Sequence, residues 1–302
     1  MPKAQSAMEY LTSYGWMVIV VAIVILVMFR LGLFNATNFE ARLATGSCMV
    51  YRPNGPGSIT FIDLVGLCTN GIPRSVGMFR YYGPFSMVGY SNLTIPKVRY
   101  EPSITNSNNN KITITGWIYP AVPEPVETAF AYGDFSPLVP PFNGIYIDYN
   151  QSGICNNGLF EALYTTALCI YSGNIALNQW HFVAVEYDGT NAIGYIISAG
   201  NVVSASGPVN PFYIASNDQL LISVPWNGLI TNIQMYNTSL SRNQIVAVYK
   251  AGLGGPPTVL KNLVGWWPLN GDIKDYSGNG NNGYPTNGEF NGGLWYSNYT
   301  VP

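Results

Sequence analysis

Lys111-Ile112-Thr113-Ile114-Thr115-Gly116-Trp117-Ile118-Tyr119-Pro120 is the stretch that decides the fold class. Alternation puts Ile112, Ile114 and Ile118 on one face and Thr113, Thr115, Trp117 and Tyr119 on the other, the period-two pattern of a strand with one face toward a core. The polar run Asn106 to Asn110 supplies a turn ahead of it. Outward from this strand, short apolar or alternating runs recur at Gly144 to Tyr149, Leu159 to Tyr164, Trp180 to Tyr187, Ile193 to Ser198, Leu220 to Val224 and Leu229 to Tyr236. Turn signals such as Asp188-Gly189 and Asn227-Gly228 separate them. Many short strands at this spacing predict an antiparallel sandwich.

Between Ser241 and Ala251 the period changes to that of a helix. Ser241 is placed to cap it, Gln244 to complete a capping box, Ile245, Val248 and Tyr249 to form the buried stripe, and Gly252 to end it. Thr113 to Pro120, Trp180 to Gly189, and Asn227 to Asn237 followed by Leu240-Ser241 together resemble a concanavalin A-like, laminin-G-type jelly roll over about half the chain. The segment Leu263-Val264-Gly265-Trp266-Trp267-Pro268-Leu269-Asn270-Gly271, with Asp275-Tyr276-Ser277-Gly278-Asn279, resembles one that usually precedes such a core. Here it follows the core, after a Gly252 to Pro257 linker. The remainder is too short for a second domain, so a permuted strand returning to the same sandwich is expected. A truncated repeat, or a strand donated to a neighbouring subunit, are the alternatives.

The N-terminus carries a different pattern. Tyr14 to Phe29 has no charge, and with the flanks Leu11 to Thr12 and Leu31 to Phe34 the apolar helix is long enough to span a bilayer. A secretory signal peptide would place its cleavage site after the apolar run, and no such site follows Arg30. Ala4, Gln5, Ser6, Ala7, Glu9 and Leu11, followed by Tyr14-Gly15-Trp16, resemble the class III signal peptide of archaeal type IV pilin-like proteins. That resemblance implies scission between Ala4 and Gln5 by a prepilin peptidase. It also implies that Glu9 pairs with the new N-terminal ammonium of a neighbouring subunit as helices pack in a filament. A carboxylate in low dielectric costs several kcal/mol unless paired. The plainer alternative is an interfacial acid favoured by the helix dipole.

The fold class expected is therefore mainly β: a long N-terminal hydrophobic α-helix followed by an antiparallel β-sandwich, jelly-roll and concanavalin A-like. The expected divisions are a leader at 1–4, the hydrophobic helix at 5–35, a β-rich connecting region at 36–110, the laminin-G-like core at 111–251, and a C-terminal strand segment at 252–302 completing the same sandwich.

Thirteen Lys and Arg against 15 Asp and Glu give a net charge of −2, and only 9% of residues are charged, far below the roughly 25% of an ordinary soluble domain. Nucleic-acid binding has no electrostatic basis here. N-x-[ST] sequons at Asn35, Asn92, Asn150, Asn237 and Asn298 are candidate glycosylation sites, with Asn92 and Asn237 favoured by nearby turns. Cys48, Cys68, Cys155 and Cys169 allow three connectivities. The local pairs Cys48 with Cys68 and Cys155 with Cys169 are preferred, because an exported chain favours disulfides and each closes a short loop. A metal at the cysteines is disfavoured by their spacing and by His181 being the sole histidine.

Asp275, Ser277 and Asn279 have the opening spacing of a calcium loop, but Thr286 stands where the bidentate acid belongs. A hydrogen-bonded turn explains them without an ion. Glycoside hydrolases on concanavalin A-like folds need two carboxylates. Glu186 and Asp188 have alternate spacing, yet Asp188-Gly189 reads as a turn and no third acid follows. His181 has no nucleophile or carboxylate in a matching motif. Walker and dinucleotide motifs are missing from the sequence, so neither catalysis nor a cofactor is expected. The 22 Tyr and 7 Trp suit sugar stacking and core packing equally.

The expected function is a structural subunit of an archaeal type IV pilus-like surface filament. It would sit in the cell membrane before assembly and in an extracellular homopolymer afterwards, with the prepilin peptidase and pilus machinery as partners. The alternative is a minor pilin or surface adhesin whose laminin-G-like head binds glycans. A membrane-anchored glycan-processing enzyme is a weaker third reading.

Overall fold

The computed structural model describes the backbone of residues 3–30, 48–66, 68, 79–81, 93–95, 111–121, 126–134, 143–150, 159–163, 166–171, 175–209, 219–224, 226, 228–269, 272–285 and 293–295. Side chains are described for most of these, but not at 3–13 or 28–30, nor for most of the residues from 79 to 95 and from 143 to 171. The chain divides into two units, Met1–Ala44 and Thr45–Pro302. The first holds helix α1, Lys3–Arg30. Its described side chains, 14–27, are apolar or uncharged, and all are exposed.

The second unit is a two-sheet antiparallel sandwich. One sheet runs in the order β12 (Asn201–Pro208), β11 (Asn191–Ser198), β10 (His181–Tyr187), β5 (Ile112–Pro120), β14 (Gly228–Tyr236), β3 (Phe79–Tyr81), β17 (Gly293–Trp295), with β15 (Leu263–Trp267) also paired to β14. The other runs β16 (Tyr284–Pro285), β4 (Leu93–Ile95), β13 (Gln219–Val224), β6 (Val126–Asp134), β7 (Asn143–Asn150), β8 (Leu159–Leu163), β9 (Thr166–Tyr171). A separate hairpin pairs β1 (Met49–Tyr51) with β2 (Asp63–Val65). The six strands expected from sequence beyond Lys111 to Pro120 are present as β7, β8, β10, β11, β13 and β14. β6, β9 and β12 were not anticipated.

The stretch that decides the fold, β5, lies between β10 and β14, with Thr115 opposite Ala184 on one side and Gln234 on the other. Ile112, Ile114 and Ile118 point between the sheets, against Phe130, Tyr132, Ile145, Ile147, Leu220 and Ile222. Gly116 shares that face, and a Cβ there would run into the side chain of Ile233. The opposite face is not open to solvent as a one-sided strand would require. Thr113, Thr115 and Trp117 are buried there as well. A second core covers them, built from Phe182, Tyr195, Tyr236, Ile245, Val248 and Trp266.

Helix α2, Arg242–Ala251, closes that second core. Ser241 caps it and forms the capping box with Gln244, and Gly252 ends it at φ 86°. Tyr249 is half-buried rather than buried, with its ring stacked on Trp117 at a centroid distance of 5.4 Å and edge-on to Phe182 at 5.9 Å. Ile245 and Val248 are fully buried, each stabilising the fold by about 2 kcal/mol. β15 is the Trp-Trp segment expected to return to the sandwich. It pairs Trp267 with Ile233 and Trp266 with Gln234, sending Trp267 into the inner core and Trp266 into the outer one.

Candidate functional site

Ala4, Gln5 and Glu9 lie in the first turns of α1, where side chains fall outside the described residues. Among the described residues no helix is long and apolar enough to cross a membrane. The run expected to do so, Leu11 to Phe34, extends past the described side chains at both ends.

Cys48 and Cys68 are joined by a disulfide with a Cα separation of 4.8 Å. Cys155 lies outside the described residues, and Cys169 is placed only as backbone within β9. The disulfide closes the β1–β2 hairpin, which Arg52 fastens to the C-terminal segment. Its Nε donates to Ser277 O at 2.8 Å, Nη2 to Leu263 O at 2.9 Å and Nη1 to Ser58 O at 2.5 Å. Burial holds this guanidinium below its ordinary pKa, and nearby Asp275 opposes that shift.

Asp275, Ser277 and Asn279 belong to the same knot. Asp275 Oδ1 accepts from the backbone N–H of Trp266 at 3.0 Å and of Ser277 at 2.8 Å, and Oδ2 accepts from Asn281 N at 2.9 Å. Ser277 Oγ donates to Val264 O, and Asn279 Nδ2 donates to the carbonyls of Leu263 and Val264. Asn279 Oδ1 accepts from Gly57 N at 2.9 Å. These oxygens are directed at separate N–H groups rather than at one point. Gly278 (φ 79°) is required because a Cβ there would meet Val50 O at 2.7 Å. The arrangement stitches the hairpin to β15.

Glu186 is buried on the outer face of β10. Tyr195 Oη donates to its Oε1 at 3.4 Å and Ser239 Oγ to its Oε2 at 3.3 Å. Burial outweighs these long bonds and pushes the carboxyl up to about 7. Asp188 lies beyond the strand in the turn. Burial pushes it upward, but the N–H groups of Asn191 (2.7 Å) and Thr190 (2.8 Å) prevail, and its pKa is lowered. One acid supports the segment before α2 and the other the β10–β11 turn, so they do not face a common substrate position.

His181 is buried, with Nε2 2.7 Å from Ala176 O and Nδ1 2.5 Å from Ser198 Oγ. A carbonyl only accepts, so Nε2 carries the proton and Nδ1 accepts from Ser198. Desolvation lowers its pKa. Of the sequons, Asn237 is half-buried in the turn after β14, where its Oδ1 accepts from Asn262 Nδ2 at 3.0 Å. Asn150 ends β7; its side chain, and the residues Asn35, Asn92 and Asn298, fall outside the described residues.

Two features escaped the sequence. One is a buried polar chain in which Asn232, at φ 52° in a β14 bulge, accepts from Trp266 Nε1 (2.7 Å) and Gln234 Nε2 (3.2 Å) and donates to Gly252 O and Gly255 O. The other is a set of exposed apolar side chains on the β1–β2 hairpin: Met49, Tyr51, Ile59, Phe61 and Val65. The bracketing cysteines were the available signal for a separate rigid element there.

With this geometry, residues 94–246 match the family model Laminin_G_3, described as the concanavalin A-like lectin/glucanases superfamily. The chain belongs to this family. Among solved structures, the laminin-G chain is similar to a heptameric SAP-like pentraxin from Limulus polyphemus at 13% identity, covering 61% of this chain and 86% of that one, TM-score 0.44. It is similar to tailspike protein 2 of an Escherichia coli O157:H7 bacteriophage at 14% identity, covering 66% of this chain and 30% of that one, TM-score 0.44. It is also similar to the CBM40 of a Ruminococcus gnavus IT-sialidase at 15% identity, covering 53% and 95%, TM-score 0.39. No curated protein matches the sequence.

Proposed function

We propose that the protein is a surface-displayed glycan-binding subunit, an adhesin or minor pilin whose laminin-G head recognises carbohydrate. The observation that carries this reading is the lectin/glucanase family match over 94–246. Binding rather than turnover is favoured because Glu186 and Asp188 are each committed to holding backbone and hydroxyl groups in place. Labelled full-length protein applied to a glycan array should bind a restricted set of sugars. Uniform absence of binding, with the head folded by circular dichroism, would overturn it.

A second reading is favoured by α1, whose side chains at 14–27 are uncharged and exposed. An apolar helix surface of this kind needs lipid or other helices as its partner. We infer a structural pilin role in which the leader is removed after Ala4, prepilin peptidase and pilus machinery act on the chain, and Glu9 pairs with the amine of a neighbouring copy in an extracellular filament. Mass determination of the native N-terminus tests the first step. Glu9→Ala should preserve membrane insertion and impair polymerisation, and normal filaments from that variant would remove Glu9 from the mechanism.

A further inference from the structure

Neither reading above uses the N-x-[ST] sequons, and Asn237-Thr238-Ser239 is the one whose three side chains all fall among the described residues. It joins the end of β14 to the start of α2. Asn237 N donates to Asn262 O at 3.0 Å, and Asn262 Nδ2 donates to Asn237 Oδ1 at 3.0 Å. A carboxamide offers one acceptor oxygen and one donor nitrogen, and the fold uses the oxygen. Asn237 Nδ2 makes no hydrogen bond among the described residues. It is not one of the buried side-chain atoms left without a partner either, which are Ser58 Oγ, Thr115 Oγ1, Trp117 Nε1 and Trp226 Nε1. The half-buried side chain therefore presents its amide nitrogen to solvent.

That division matches what N-linked glycosylation does to asparagine. A sugar replaces one hydrogen of the amide nitrogen and leaves the carbonyl oxygen an acceptor, so the bond from Asn262 survives the modification. The sequon hydroxyl is placed differently. Ser239 Oγ donates to Glu186 Oε2 at 3.3 Å. Thr113 Oγ1 donates to Thr238 O at 2.7 Å and accepts from Leu240 N at 3.0 Å. These three bonds pin the second half of the sequon to β5 and β10. An acceptor sequon is read as a surface segment with its hydroxyl available, and in the closed turn that hydroxyl is already taken.

We propose that Asn237 carries an N-linked oligosaccharide, and that its transfer precedes the closing of this turn onto Glu186 and Thr113. The donor is an oligosaccharide linked through its anomeric carbon to a lipid phosphate, and a membrane oligosaccharyltransferase catalyses the step. Asn237 Nδ2 attacks the anomeric carbon, the C–N bond forms as the C–O bond to phosphate breaks, and the lipid phosphate departs with that electron pair. The amide proton passes to a carboxylate of the transferase. The head thereby bears a sugar, which goes beyond the proposal that it recognises one. The attachment atom is solvated and unpartnered, so the modification removes no hydrogen bond from the fold.

The test is glycopeptide mass spectrometry on the full-length protein purified from its native host. An oligosaccharide on Asn237 is expected, retained in Ser239→Thr and lost in Ser239→Ala. An unmodified Asn237 overturns the proposal, as does a sugar that persists in Ser239→Ala. A second reaction tests the order of events. Host membranes that modify a standard sequon peptide receive the folded, unglycosylated full-length protein and, separately, a peptide of residues 232–243. The peptide should be modified on the order of a hundredfold faster, because three hydrogen bonds must open in the folded chain first. Equal rates for the two overturn transfer before closure. Membranes that modify neither overturn Asn237 as an acceptor.

Discussion

Replacing Glu186 with glutamine should stabilise the head at alkaline pH and leave it nearly unchanged in acid. The carboxyl moves from an ordinary value of 4.5 to about 7 in the folded protein, chiefly by burial. The folded state therefore binds this proton more tightly than the unfolded chain. Below pH 4.5 both states are protonated and the group contributes nothing. As pH rises from 4.5 to 7 the unfolded chain ionises first and stability is lost, and above 7 the full loss persists. At 1.36 kcal/mol per unit the ceiling is about 3 kcal/mol, and allowance for solvent screening reduces it to about 2 kcal/mol. For a unit of this size that corresponds to roughly 4–8 °C in Tm. Glutamine keeps a carbonyl oxygen to accept from Tyr195 or Ser239. Melting curves of Glu186→Gln and the parent at pH 4.5, 6 and 8 separate this group from Asp188 and His181, whose lowered pKa values act in the opposite direction and cancel in the difference. A stability difference that does not grow with pH, or a variant less stable than the parent at pH 8, would refute the assignment of burial as the dominant cause.

Three further outcomes are expected. Arg52→Met removes donors to Ser277 O, Leu263 O and Ser58 O and should cost about 3 kcal/mol in denaturant unfolding, since buried carbonyls lose charged partners. Reducing the Cys48–Cys68 bond, which closes a sequence separation of 20, should cost about 3 kcal/mol, read as a Tm difference with and without reductant. Calcium or a chelator should leave the melting temperature within about 1 °C, whereas Asp275→Asn should lower stability by about 2 kcal/mol in either condition, because its oxygens accept three backbone N–H groups. A calcium-dependent Tm would show that those oxygens also serve an ion.

Local rules made much of the sandwich legible. The capping box at Ser241 and Gln244 and the alternation from Ile112 to Ile118 depend only on neighbours in sequence, and both are present in the structure. β12 escaped because an edge strand with one exposed side needs no apolar pattern: Asn201–Pro208 is largely exposed. β6 escaped because Glu127 and Gly133 interrupt its pattern, and it holds its place by pairing with β7 and β13. Burial of Thr113 and Thr115 on the second face was invisible because the cover arrives from residues far along the chain. Thr113 Oγ1 donates to Thr238 O at 2.7 Å and accepts from Leu240 N at 3.0 Å. The Arg52 bonds span 225 and 211 residues, beyond the reach of any local pattern.

Those long-range bonds also set where the folding unit ends. The family match stops at residue 246, inside α2, yet Trp267 is fully buried in the inner core and Trp266 in the outer one. Removing the C-terminal segment would strip both cores of a tryptophan and leave β14 without β15 as its partner. The same segment holds Arg52, receives the N–H of Val50 at Tyr276 O (2.9 Å) and binds Gly57 N through Asn279. The hairpin bearing Phe61 is therefore fixed to the sandwich by strands at the other end of the sequence, and its exposed side chains are presented by a pre-ordered surface. A contact made there pays little ordering entropy, because the backbone that carries it is already held by the disulfide and by the Arg52 and Asn279 bonds.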